Sequence, residues 1–202
     1  MPINRIQFQP GVSMPEFFSR YGSEAQCAAA LKALRWPQGF RCPRCDCAEH
    51  YAVGHGGRSL FQCRGCRHQT SLTAGTLMDS SKLPLRTWFL AIFLISQDKT
   101  GLSSLALKRH LGTSYRTAWL IQHKLMIAMA QRDTEQPLDG YVQLDDAYLG
   151  GERPGSTGRG SENKVPSVAA VACNQAGHPL RVKVWPVREF NDAGKATQPV
   201  AE

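Results

Sequence analysis

The chain has 202 residues, with 24 lysines and arginines against 16 aspartates and glutamates, which gives a formal net charge of +8. An apolar fraction of 42% and a charged fraction of 20% are typical of globular proteins and exclude a disordered or fibrous one. The longest apolar run, residues 88–95, is far shorter than the ~20 residues that cross a bilayer, so no membrane helix is predicted.

Residues 13–38 are predicted to form an N-terminal helical segment. Ser13 with Glu16, and Ser23 with Gln26, stand at capping-box spacing, and the second pair precedes an alanine-rich stretch. The chain starts without an apolar leader or a cleavage site, which favours a cytoplasmic protein. Its seven cysteines are therefore expected to be reduced thiols, which points to metal binding rather than disulfides.

Residues 39–76 lose the helical period and are predicted to form a β-rich zinc ribbon. They hold two Cys-x-x-Cys pairs separated by 17 residues, the spacing of a four-cysteine zinc site. Gly65 is expected to supply the positive φ of one tight turn. Because sulfur fills all four positions, the zinc is predicted to be structural; four unrelated buried cysteines are the alternative. The predicted ligands are Cys42, Cys45, Cys63 and Cys66.

Other residues of the ribbon are assigned lesser roles. Cys47 has no partner at the required spacing, so we interpret it as a bystander. Four thiolates around Zn²⁺ carry a net charge of minus two, and four arginines flank the ligands. These arginines are expected either to offset that charge or to contact phosphate; they are Arg41, Arg44, Arg64 and Arg67.

Residues 83–135 predict three helices over 85–97, 103–111 and 115–131, separated by short turns. The second and third match a helix-turn-helix, and Ser114 is expected to cap the recognition helix. Lys108 and Arg109 are predicted to contact phosphates, and the start of the recognition helix to reach bases. An ordinary three-helix bundle is the alternative. The residues predicted to meet DNA on the recognition helix are Ser114, Tyr115, Arg116, Trp119 and Gln122.

The basic charge is confined to the first two-thirds of the chain. Residues 1–139 hold 17 lysines and arginines against 9 acids, whereas residues 140–202 hold 7 of each. A basic part beside a neutral one suggests that the first meets a polyanion, although basic surface also serves solubility.

Residues 140–202 predict three strands, over 141–149, 165–173 and 180–187, with a glycine- and arginine-rich loop after the first. Asp145 and Asp146 lie within the first, apolar strand. Alternation sends them to opposite faces, so only one can lie in a shared site. Since burying an unpaired carboxylate is costly, such an acid usually faces a metal, a base or solvent. A solvent-facing acid on an edge strand is the alternative.

The order of ribbon, helix-turn-helix and a Leu-Asp-Asp-x-Tyr-x-Gly-Gly strand resembles bacterial insertion-sequence transposases of the ISXO-like branch, over about residues 15–187. The resemblance implies an α+β multidomain chain that ends in the first three strands of a ribonuclease-H-like α/β domain of the acidic-triad (DDE) type. Asp145 falls on the first catalytic carboxylate, a ligand of catalytic Mg²⁺ or Mn²⁺. Asp146 stands where the family more often has Glu, and Ala147 where it often has Thr.

The resemblance also implies an incomplete catalytic centre. The chain stops 57 residues after Asp145, before the positions of the second and third acidic ligands. Asp192, the single later aspartate, lies in a sequence typical of a turn. We therefore expect a truncated copy without strand-transfer activity of its own.

A complete copy is expected to bind the terminal repeats of its element and to join them to target DNA. This needs metal-dependent phosphodiester hydrolysis and strand transfer but no nucleotide cofactor. The expected partners are double-stranded DNA and a second copy of the chain, and the protein is expected to lie on the nucleoid while DNA is bound. Beside Asp145, the residues expected to contact the DNA backbone are Arg153, Arg159 and Lys164. Two alternatives stay open: a zinc-dependent transcriptional regulator without catalysis, and a ribbon that binds protein.

Overall fold

The computed structural model describes residues 11–55, 58–98, 100–150 and 164–188. The chain forms two compact units whose boundary falls between Ala130 and Gln131. As predicted, the fold is α+β. In the described ranges no helix has the length and apolar character needed to cross a membrane.

The described residues form five helices and six strands. The elements are α1 (Met14–Tyr21), α2 (Glu24–Arg35), β1 (His50–His55), β2 (Arg58–Cys63), β3 (Gln69–Ser71), α3 (Leu85–Gln97), α4 (Ser104–Leu111), α5 (Tyr115–Glu135), β4 (Tyr141–Leu149), β5 (Val165–Cys173) and β6 (Pro179–Pro186).

Local hydrogen bonds set the starts of the first two helices. The Ser13 hydroxyl accepts from the Glu16 N–H at 3.3 Å and begins α1. At α2 the Ser23 hydroxyl accepts from the Gln26 N–H at 3.2 Å, while the Gln26 side chain accepts from the Ser23 N–H at 2.9 Å. This reciprocal capping box satisfies amide groups that have no partner inside the helix.

The ribbon sheet consists of β1, β2 and β3 in antiparallel order. It joins α2 through Arg35, whose guanidinium donates to the carbonyls of Ser71 and Leu72 at 3.1 and 2.7 Å. Trp36, after α2, packs on Phe61 of β2 with ring centroids 4.9 Å apart. Ribbon and helices therefore share one hydrophobic core, whose buried members include Cys42, Phe61, Trp88, Leu107 and Ile121.

Helix α3 takes its N-terminal cap from a distant helix. Pro84 at its N-cap makes no side-chain capping bond. Instead the Glu24 carboxylate, in the first turn of α2, accepts from the N–H groups of Leu85 at 2.8 Å and Arg86 at 3.1 Å. A carboxylate at this helix end also interacts favourably with the helix dipole. One side chain thus fixes α3 against α2.

The second unit contains an antiparallel sheet in the order β4-β5-β6. Within the described part of that unit, β5 is the central strand, and its Ser167 and Ala170 are almost wholly buried. On β6 Arg181 donates to the Pro137 carbonyl at 3.1 Å, and Lys183 donates to the Asp133 carbonyl. The sheet is thereby attached to the end of α5 and the segment that follows it.

We predict that Glu24→Ala lowers the free energy of unfolding by about 1–2 kcal/mol, since it leaves two amides of α3 without their acceptor. Urea denaturation followed by circular dichroism measures the change. Glu16→Ala is the matched control: it removes an exposed ion pair to Arg20 and should cost less than about 0.5 kcal/mol. Equal losses in the two variants would contradict the assigned role of Glu24.

Candidate zinc centre and nucleic-acid interface

The four predicted cysteine ligands come together at one point of the ribbon. Their sulfur atoms all lie within 4.8 Å of one another. The Sγ atoms of Cys42 and Cys66 are 3.5 Å apart, as are those of Cys45 and Cys63. A tetrahedral zinc with bonds near 2.3 Å places its sulfur ligands about 3.8 Å apart. The cluster therefore fits one structural zinc ion, with sulfur at all four corners.

The two Cys-x-x-Cys turns are built by the same backbone bonds. In the first, the Asp46 N–H donates to the Cys42 carbonyl at 2.9 Å, and the Cys42 N–H to the Cys47 carbonyl at 3.0 Å. In the second, Arg67 donates to Cys63 at 3.1 Å, and Cys63 to His68 at 2.9 Å. This repetition aims two sulfurs from each turn at the same point, as a shared metal requires.

The left-handed residue of the second turn is Arg67, so the prediction for Gly65 is wrong. Asp46 and Arg67, each directly after the second cysteine of its pair, have φ of +57° and +58°. The backbone N–H of each of these residues donates to the carbonyl of the first cysteine of its pair, four residues earlier, and the chain reverses direction there. Gly65 lies instead against neighbouring cysteines: a Cβ at its position would be 3.6 Å from the Cys47 Cβ and 3.8 Å from the Cys45 Sγ.

Hydrogen bonds to sulfur give the cysteine thiols of the cluster unequal pKa values. The backbone N–H of Cys66 stabilises the Cys63 thiolate and lowers its pKa to about 6. The N–H of Cys47 has the same effect on Cys45, but the neighbouring thiols of Cys66 and Cys63 outweigh it and raise the pKa of Cys45 to about 12. Zinc binding must therefore displace protons from the cluster.

Cys47 lies outside the ligand group, in agreement with its interpretation as a bystander.

A short turn joins α4 to α5, the two helices of the predicted helix-turn-helix. Helix α4 ends at Gly112, whose φ of +63° is left-handed. The Ser114 hydroxyl then caps α5 by accepting from the Thr117 N–H at 3.1 Å. The inner face of α5 is buried as its spacing predicts, with Ala118 and Ile121 at 0% and 1% exposure.

The outer face begins at the first turn of α5. Tyr115 is 52% exposed and Trp119 is 42% exposed, and the Trp119 ring lies 3.9 Å from the ring of His123. Arg116 on α5 is exposed, and so are Lys108 and Arg109 in the last turn of α4. The structure thus brings an aromatic and basic surface to the start of the predicted recognition helix.

The side chain of Gln122 is engaged in hydrogen bonds within the protein. Its side-chain carbonyl accepts from the Ser104 hydroxyl, and its amide nitrogen donates to the Leu102 carbonyl at 2.7 Å. Both ends of the amide are used, and the residue is half-buried. Gln122 therefore ties the start of α4 to α5, a role that sequence spacing does not reveal.

Asp145 lies in the middle of β4, opposite Ala169 of β5. Its side chain is exposed, and β4 is an edge strand among the described residues, with β5 beside it. Asp146 pairs with Val168, so strand alternation directs the two carboxylates to opposite faces. Within the part of the chain described, Asp145 does not join a group of three or more metal-ligating side chains.

The loop residues predicted to accompany Asp145 are only partly described. Lys164, directly before β5, is exposed. Arg153, Arg159 and Asp192 lie outside the described residues.

Residues 22–69 match the family model of the transposase zinc-ribbon domain. A relative named as an uncharacterized protein in transposable element ISH50 of Halobacterium salinarum is 28% identical over 131 residues. The match covers 63% of this chain and 42% of that protein, so the chain spans less than half the length of this relative. No solved structure matches the chain.

The transposase zinc ribbon and the transposable-element relative support the predicted resemblance to an insertion-sequence transposase. The first comparison supports the zinc ribbon, and the second supports an origin in a transposable element. The ISXO-like branch, the catalytic assignment of Asp145 and the truncation stay predictions.

We predict that Cys63→Ser abolishes stoichiometric zinc binding, because one of the four ligand sulfurs is lost and its turn is no longer clamped. Metal content by inductively coupled plasma mass spectrometry measures the effect. Cys47→Ser is the matched control and should keep one zinc per chain. If the Cys47 variant lost zinc and the Cys63 variant kept it, the ligand set would be wrong.

Proposed function

We propose that the chain is the DNA-binding part, and the beginning of the catalytic domain, of an insertion-sequence transposase that binds the ends of its element. The observation that carries the proposal is that the transposase zinc ribbon shares one hydrophobic core with α4 and α5, the two helices of the predicted helix-turn-helix. A shared core holds two DNA-binding modules at a fixed geometry, which suits recognition of an extended duplex site.

The proposed recognition surface is the start of α5. Tyr115, Arg116 and Trp119 lie on its exposed side, and residues near the start of a recognition helix reach base edges in the major groove. Lys108 and Arg109 on α4 would contact the phosphates beside that groove. We assign Ser114 and Gln122 to the support of this surface, because capping α5 and joining α4 to α5 already use their side chains.

We further propose that Asp145 is the first catalytic carboxylate. Small neighbours favour this role: Ala147 follows on the same face of β4, and Ala169 lies opposite on β5. The exposed carboxylate is therefore open to a hard cation. Paired Mg²⁺ or Mn²⁺ ions, when bound by a complete set of carboxylates, stabilise the attacking and leaving oxygens of phosphoryl transfer. Lys164 would hold a DNA phosphate near this strand.

A transcriptional regulator without catalysis is not favoured. The ribbon matches a transposase domain, and the relative belongs to a transposable element. Assembly into a homo-oligomer on two element ends, with location on the nucleoid while DNA is bound, belongs to the same proposal.

We predict that Arg116→Ala weakens binding to duplex DNA about tenfold at moderate salt. Fluorescence anisotropy of a labelled element-end duplex measures it. Arg132→Ala is the matched control, because this arginine lies on the same helix about 24 Å further along it. Equal affinity of the Arg116 variant and the wild type would contradict the assignment of the recognition surface, as would a loss confined to the Arg132 variant.

For Asp145 we predict weak divalent cation binding that depends on this carboxylate. Titration of Mn²⁺ should broaden the NMR signals of residues around Asp145, and Asp145→Asn should remove the broadening. The control is Asp146→Asn, because strand alternation places that carboxylate on the opposite face. Broadening that persists in the Asp145 variant would contradict the metal assignment.

A further inference from the structure

The four arginines that flank the zinc ligands fall into two classes. Arg41 donates to the Asp46 carbonyl at 3.3 Å and lies 3.5 Å from its carboxylate. Arg64 pairs with the Glu49 carboxylate at 3.0 Å, and its guanidinium lies 5.3 Å from the centre of the Tyr51 ring. Both guanidinium groups are therefore engaged within the ribbon itself.

Arg44 and Arg67 differ from this pair. Both are exposed, and among the described residues neither side chain makes a hydrogen bond, an ion pair or a ring contact. The nearby carboxylates of Asp46 and Glu49 are occupied by the other two arginines. Each free arginine is also directly bonded in sequence to a zinc ligand, Arg44 to Cys45 and Arg67 to Cys66. Two guanidinium groups without a carboxylate partner among the described residues thus flank the metal cluster.

The backbone conformation of Arg67 is an independent indication that this residue has a partner outside the protein. Its φ of +58° is left-handed, a conformation that costs energy for any residue with a long side chain. The equivalent position of the first turn holds Asp46, a residue that tolerates this conformation. Glycine at position 67 would avoid the cost. An arginine kept in a strained conformation, with no side-chain partner among the described residues, indicates that its guanidinium has a partner outside the protein.

We propose that Arg44 and Arg67 bind the phosphate backbone of the duplex, as a second contact beside the helix-turn-helix, while Arg41 and Arg64 hold the two turns. This inference rests on the proposed DNA-binding function. The guanidinium fork matches phosphate oxygens and retains its charge at every physiological pH. A backbone contact carries no sequence information, so its effect is on affinity and on orientation of the protein along the duplex.

The test uses the zinc-loaded full chain and a labelled duplex, with anisotropy measured over a series of salt concentrations. Arg44→Gln with Arg67→Gln should reduce the slope of log affinity against log salt by about two, one for each lost phosphate contact. Zinc content should be unchanged. The matched double variant, Arg41→Gln with Arg64→Gln, should keep the wild-type slope. An unchanged slope in the first double variant, or equal changes in both, would overturn the proposal.

A single variant separates this role from a structural one. Arg67→Gly should raise the melting temperature, because the strain is removed, and should still weaken DNA binding. If this variant bound DNA as tightly as the wild type, Arg67 would not contact the duplex. If it lost zinc, Arg67 would support the metal cluster instead, and either result would overturn the proposal. If the wild-type protein showed no salt-dependent duplex binding, the proposed function as a whole would be refuted. If Arg116→Ala lost affinity for the duplex while the Arg44 and Arg67 double variant kept it, only this inference would be refuted.

Discussion

The N-terminal unit is built around four cysteine sulfurs that lie within 4.8 Å of one another, a spacing that fits one tetrahedral zinc ion. The ribbon has few apolar residues of its own, and a module of this size is rarely stable without a metal or a disulfide. Cys42 and Cys63 are buried in the same core as Leu107 of α4 and Ile121 of α5. The cluster is therefore an internal support of the whole unit, and its loss would be felt in the helices that are proposed to meet DNA.

Features set by neighbours in sequence could be predicted. The Cys-x-x-Cys spacing identified the ligand group, because two intervening residues define one kind of turn. The serine caps at Ser23 and Ser114 marked the starts of α2 and α5 for the same reason: the capping bond spans three residues. Alternation within β4 likewise predicted that Asp145 and Asp146 lie on opposite faces of the strand, and the two residues are paired with successive residues of β5.

Features set by distant segments could not be predicted. Glu24 caps a helix 61 residues further along the chain, and Gln122 bonds to residues on α4 and before it. Gly65 was assigned the left-handed conformation because glycine adopts it most easily, yet the bond pattern of the turn places it at Arg67. At Asp145 the sequence indicated the strand, and a solvent-facing acid was only the alternative to a metal ligand; the other ligands that a catalytic site would need come from separate segments that no local pattern identifies.

The most direct test of the central claim, that zinc unites ribbon and helix-turn-helix into one DNA-binding body, is hydrogen–deuterium exchange of the zinc-loaded chain with and without duplex DNA. We expect slower amide exchange on DNA binding in two places, the second cysteine turn around Arg67 and the start of α5 around Arg116. Slowing at α5 alone, with the ribbon unaffected, would contradict the claim.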